Sequence, residues 1–146
     1  MSPVFALATP PAKSAICVFR VSGDGCLEKL NELTDLKRLD SRIFKVVSVF
    51  NKGVLVDKAG LVLFKGPNSY TGEDSFEVYE HGSLGIMSSL VEAFKDVGFE
   101  EAPGGEFTKR AVLNNNISLN EAEAISDLID VTDDRGVTLS GGSLFG

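Results

Sequence analysis

Apolar and polar side chains alternate along the first half of the chain, then apolar ones recur every three to four residues along much of the second. Val4 to Ala8 and Ala15 to Val21 are β-rich runs. Between them lies Thr9-Pro10-Pro11-Ala12-Lys13-Ser14, whose paired prolines lack the N–H a sheet ladder needs, so two strands joined by a loop are predicted. The second run carries Ala15, Cys17, Phe19 and Val21 on one face and Ile16 and Val18 on the other, the pattern of a central strand, with Arg20 interrupting the second face. After the turn at Ser22-Gly23-Asp24, Leu27, Leu30 and Leu33 recur at helical spacing and predict a short amphipathic helix. Ile43 to Phe50, the turn Asn51-Lys52-Gly53 and Val54 to Phe64 predict antiparallel hairpin or meander structure, with a break expected at Lys58-Ala59-Gly60.

Pro67 to Asp74 is dense in turn formers and delivers the chain into a strand from Ser75 to Glu80, where Phe76 and Val78 alternate with Glu77 and Tyr79. From Ser83, the positions Ile86, Met87, Leu90, Val91, Phe94 and Val97 keep a helical period until Gly98 offers a left-handed stop. A turn at Pro103-Gly104-Gly105 precedes a short helix from Glu106 to Leu113. Asn114-Asn115-Asn116 reads as a loop, because asparagine side chains compete for backbone bonds. Ser118 and Glu121 form a capping box that opens a further helix, with Leu119, Ala122, Ile125, Leu128 and Ile129 on one side. Gly136 to Gly146 contains four glycines and reads as a cut end, with Leu139, Leu144 and Phe145 expected to be short of apolar partners.

A length of 146 residues suits one compact domain with a sizeable core. The formal net charge of -7 disfavours direct binding to RNA, because the chain has little positive charge to release counterions from a phosphate backbone. No apolar run approaches the length of a membrane span, and the first residues lack the layout of a signal peptide, so a cytoplasmic protein with no membrane contact is expected. Cys17 and Cys26 are too few for a disulfide framework, and Cys17 falls in an apolar run where burial is expected. His81 is the only histidine, which argues against a His-Cys metal site and a Ser-His-Asp triad. Neither a GxxxxGK[ST] phosphate loop nor a GxGxxG fingerprint occurs, so no catalytic residue for nucleotide hydrolysis is assigned.

Two residues stand out as candidate chemistry. Arg20 lies where strand alternation predicts burial and needs an acceptor; an internal salt bridge to Glu77 or Glu106 and a polar ligand edge satisfy that need equally. Glu77 leaves a strand beside glycine-bearing loops, and a carboxylate there can accept two hydrogen bonds from an amino-amidine edge such as that of a pterin. The functional expectation is that the guanidinium and the carboxylate are held apart to grip such a ring. Asn68-Ser69-Tyr70 is read as turn chemistry and Thr108-Lys109-Arg110 as a solvated helix face.

Three segments, ALATPPAKSAICVFRVSG (Ala6 to Gly23), GPNSYTGEDSFEVYEHG (Gly66 to Gly82) and PGGEFTKRAVLNNNISLNEAEAISDLID (Pro103 to Asp130), together closely resemble the N-terminal region of the MnmE family, also called TrmE. The resemblance implies an α+β fold: a two-layer α/β sandwich with a mixed, largely antiparallel sheet, similar to the folate-binding domain of the glycine-cleavage T-protein. It divides the chain into a folate-binding and dimerisation domain over 1–117 and the start of a truncated helical domain over 118–146.

The implied cofactor is a tetrahydrofolate derivative, 5-formyl- or 5,10-methylene-tetrahydrofolate. GTP, Mg and K belong to the family's GTPase domain, which this chain lacks. The implied partners are a second copy of the chain and the flavoprotein MnmG (GidA), with tRNA engaged through that complex and modified at C5 of the wobble uridine. The family's folate contacts match Arg20 and Glu77, while a third, a lysine in the family, aligns with Asn116 and implies weaker binding. Ala12 and Ser83 stand where the family usually has glycine. The alternatives are a free-standing folate-dependent aminomethyltransferase and a dimerisation scaffold that has lost folate.

Overall fold

A computed structural model describes residues 1–132, so the glycine-rich segment with Leu139, Leu144 and Phe145 lies outside the described residues. Six strands form one open sheet: β1 (Val4–Leu7), β2 (Ser14–Ser22), β3 (Lys45–Asn51), β4 (Val54–Phe64), β5 (Ser75–Gly82) and β6 (Glu100–Glu101). Their order is β3-β4-β5-β2-β1-β6. Every pairing is antiparallel except that of β1 with β6, which the sequence pattern does not predict because two glutamates carry no alternation. The helices are α1 (Leu30–Leu33), preceded by a 3-10 turn at Leu27–Lys29, α2 (Leu84–Asp96), α3 (Glu106–Leu113) and α4 (Leu119–Thr132).

One face of the sheet is covered by α1 and α2. Phe5, Cys17, Phe19, Val21, Val47, Val49, Leu61, Phe76 and Val78 point into it and meet Leu30, Leu90 and Phe94 from the helices. Phe94 is the hub, with ring centroids 5.2 Å from Phe5, 5.6 Å from Phe19 and 5.9 Å from Phe99. Helix α2 starts where the period predicts, and Ser83 caps it by accepting a hydrogen bond from the Ile86 N–H at 3.1 Å, so this departure from the family glycine adds a cap. The Ser118–Glu121 capping box also forms, with both reciprocal bonds made.

The second face is only partly covered. Helix α3 lies over its β1 end, where Phe107 packs on Val4 and Ala6. Elsewhere on this face Ile16, Phe44 and Val46 stay exposed, so β2 is buried on one side and not on both as its composition suggests. The break expected at Lys58-Ala59-Gly60 does not occur, and β4 pairs with β3 straight through it. Gly60 serves close packing instead, because a Cβ there would fall 2.2 Å from the Phe44 ring. Ala12 is not at positive φ, so its replacement of the family glycine strains nothing.

Candidate ligand-binding cavity

The register of β2 against β5 sets Arg20 directly opposite Glu77, with Ala6 and Val62 completing the row across β1 and β4. Alternation directs both charged side chains to the partly covered second face. There the Arg20 Nε donates to Glu77 Oε2 at 3.0 Å, while Glu77 Oε1 accepts from the Tyr79 hydroxyl. Burial, then the Glu77 carboxylate, pushes the Tyr79 phenol up to about 12. The expectation that arginine and carboxylate stand apart is corrected: directly opposed residues have Cβ atoms ~5 Å apart, close enough for the two to meet. Nor is Arg20 fully buried, since its side chain keeps 27% of its exposure and that of Glu77 20%. The second face carries too little cover to seal them.

The pair is not sealed by its own contact. A cavity of about 310 Å³ adjoins it, floored by Arg20, Ser22, Ser75 and Glu77. Phe107 of α3, Phe64 at the end of β4 and the loop residues Tyr70 and Thr71 form its sides. Aromatic walls beside a floor of alternating donors and acceptors suit a flat heterocycle with a hydrogen-bonding edge, and the volume lies at the small end of ligand pockets.

The wall is held by a buried polar network. Arg110 is 4% exposed and donates through Nη1 to Glu73 Oε1 at 3.1 Å, and through Nε to Glu106 Oε2 at 2.8 Å. The same Nη1 reaches the carbonyls of Ser2 and Ser22. Ser22 Oγ donates to Glu73 Oε1 at 2.8 Å and lies 2.7 Å from Thr71 Oγ1, so two cavity residues are tied directly to the buried pair. Reading Thr108-Lys109-Arg110 as a solvated face holds for Lys109 and fails for Arg110. The signal was present: Arg110 falls three residues after Phe107 and one before Ala111, on the face that α3 buries. Ser69 fulfils its expected turn role, its hydroxyl donating to the Glu73 carbonyl.

Asn116 is not among the residues lining the cavity. Its Nδ2 donates to the carbonyls of Ser69 and Tyr70, the latter at 2.8 Å, and so fastens the loop that forms one side. Sequence reasoning brought Arg20 and Glu77 to one place and missed Arg42, Phe64 and Phe107, which line the same space. Phe107 is recoverable from the helical period of α3. Arg42 sits in an irregular polar stretch where no period operates.

Other reactive groups are placed less productively. Both thiols are buried; burial and then Glu80 raise that of Cys17, and burial pushes that of Cys26 up to about 12, so neither is poised as a thiolate. Glu80 is 2% exposed and no N–H or O–H donor meets its oxygens among the described residues. It faces Asp57, and burial followed by that negative charge pushes its pKa up to about 8. Burial alone would raise Asp57, but bonds from the His81 ring and backbone N–H outweigh it and hold that carboxyl below its ordinary value. Among the described residues no cluster of three or more His, Cys, Asp or Glu is arranged to hold a metal, and no helix is long and apolar enough to cross a membrane.

Residues 3–116 match the family model described as the GTP-binding protein TrmE N-terminus. Among curated relatives, the tRNA modification GTPase MnmE of Rickettsia canadensis (strain McKiel) is 42% identical over 133 residues, covering 89% of this chain and 30% of that protein. That of Francisella philomiragia is 36% identical over 143 residues, 98% of this chain and 32% of the relative. The Helicobacter pylori (strain Shi470) protein is 40% identical over 126 residues, 86% and 28% respectively. The chain spans about a third of the length of the curated relatives it matches.

Proposed function

Because the chain belongs to the family of GTP-binding protein TrmE N-termini, we propose that it is the folate-binding and dimer-forming part of a tRNA-modifying GTPase, its cavity holding a tetrahydrofolate derivative. In this reading residues 1–117 form the binding unit and 118–146 open a helical domain. GTP hydrolysis belongs to another part of the parent protein. The parent acts in the cytoplasm with the flavoprotein MnmG on the wobble uridine of tRNA, and the fold is akin to that of the T-protein.

The observation that carries this reading is the hydrogen-bonded Arg20–Glu77 pair on the floor of an aromatic-walled cavity. The donor set fits the cofactor. A pterin presents an amino-amidine edge of N–H donors next to a carbonyl acceptor; Glu77 supplies the acceptors and Arg20 the donor, each already oriented by the other. Phe64 and Tyr70 supply ring surface that is not already buried in the core. When bound, the folate would supply a one-carbon unit. The chain's own part is to bind and orient it and to exclude water from the ring.

Self-association is the second element of the proposal. Ile16, Phe44 and Val46 expose more than half their surface on the sheet face that carries the cavity, where a second copy would bury them. A scaffold without folate has one observation in its favour, the direct Arg20–Glu77 contact, which satisfies both charges internally.

Calorimetric titration with 5-formyltetrahydrofolate separates the readings. Saturable binding is expected for the native chain, with a loss of at least about tenfold in Glu77→Gln and in Arg20→Ala while both variants remain folded. No binding by the native chain up to millimolar ligand, as monomer or dimer, would leave the scaffold reading standing.

A further inference from the structure

One cation at the cavity is not neutralised. Arg42, at φ 62°, follows Ser41 into the sheet margin, and its backbone N–H donates to the Leu63 carbonyl at 2.7 Å. That places its guanidinium carbon 5.3 Å from the centroid of the Phe64 ring, stacked on a residue that itself lines the cavity. Nη2 donates to the Asn68 carbonyl at 2.8 Å. A guanidinium has five N–H donors, so most of them remain for another acceptor. Arg20 is matched by Glu77 and Arg110 by Glu73 and Glu106, whereas among the described residues no carboxylate lies within 4.0 Å of Arg42. The cavity thus carries two guanidiniums against one carboxylate in a chain whose net charge is -7.

Asn116, on the loop that forms one side of the cavity, is committed elsewhere. Both Asn116 amide hydrogens are directed at backbone carbonyls, so the atom it has left to offer is its carbonyl oxygen, an acceptor that repels a carboxylate.

We propose that Arg42 is the anion-recognising residue of this cavity and that it makes the site selective for ligands bearing a carboxylate tail beside the ring-binding pair Arg20–Glu77. This rests on the folate reading: the pterin ring is held at Glu77 and the glutamate carboxylates of the folate reach Arg42. The stacked, hydrogen-bonded guanidinium is already oriented, so little freedom is lost on binding. Because Arg42 is exposed, the contribution is moderate and sensitive to salt.

The test titrates the native chain, Arg42→Gln and Arg42→Lys with 5-formyltetrahydrofolate and with its diamide, which keeps the shape and lacks the two charges. The native chain is expected to prefer the dicarboxylate by about five- to tenfold at low salt, less so at high salt. Arg42→Gln should bind the two alike, and Arg42→Lys should keep part of the preference. Full preference retained in Arg42→Gln overturns the assignment and leaves the folate reading intact. Absence of binding of both ligands to the native chain overturns both. Matching thermal melts of the three proteins exclude a folding defect as the cause.

Discussion

Glu73 and Arg110, from a loop and a helix 37 residues apart, meet at 3.1 Å with side chains only 6% and 4% exposed. Their contact joins the turn-rich segment 66–74 to α3, the two elements that enclose the proposed ligand site. Removing one partner strands a buried charge. Arg110→Met should cost ~3–5 kcal/mol, since the N-terminal ammonium 3.3 Å from Glu73 compensates only in part. Adding Glu73→Gln should recover much of the loss. Urea midpoints of the two single variants and the double variant check this; additive losses would show that the two do not act as a pair.

Glu80 predicts a pH dependence. Its folded pKa, pushed up to about 8, lies above the ordinary 4.5, so between those values the folded carboxyl retains a proton that the unfolded one has lost. Folding is therefore favoured by protonation, and stability should fall as pH rises from about 4.5 to about 8 and level off beyond. Glu80→Gln should flatten that part of the profile, gaining ~1 kcal/mol or more on the native chain between pH 5 and pH 8.5. Parallel profiles for the two proteins would contradict the assignment.

Asn116 couples loop order to binding. Asn116→Ala should leave the fold intact but release the carbonyls of Ser69 and Tyr70, giving faster amide exchange over 66–74. Asn116→Lys should bind 5-formyltetrahydrofolate about fivefold more tightly or better, through a charge-assisted bond that the amide does not make. Equal affinity of Asn116→Lys and the native chain in calorimetry would remove this role.

Self-association should depend on the exposed apolar face. Val46→Glu, at a position 67% exposed, should leave the melting temperature of the monomer within a degree or two and shift the dimer to monomer in sedimentation velocity. A dimer that withstands this substitution uses another surface.

Most of the sheet and the four helices of the described residues were legible in the sequence, because period two and period 3.6 are properties of neighbouring residues. The capping box at Ser118 and the helix from Ser83 follow from local spacing, and Arg20 and Glu77 were singled out by their place on alternating strands. Two-residue β6 was not legible, since nothing in Glu100-Glu101 alternates and its pairing with β1 is a consequence of where α2 ends. Arg110 was misread by weighing its charged neighbours above its helical phase. Gly60 looked like a breaker because its value lies in the Phe44 ring, which precedes β3 and is distant in sequence.

Local sequence determined every element but β6 and most of the faces their side chains take, since those depend on dihedral preference and periodicity. Only tertiary structure decided that Arg20 and Glu77 touch, that α3 and the 66–74 loop leave a cavity beside them, and that Arg42 opens onto it. Those outcomes depend on strand register and on distances between residues far apart in the chain, and no local preference encodes them.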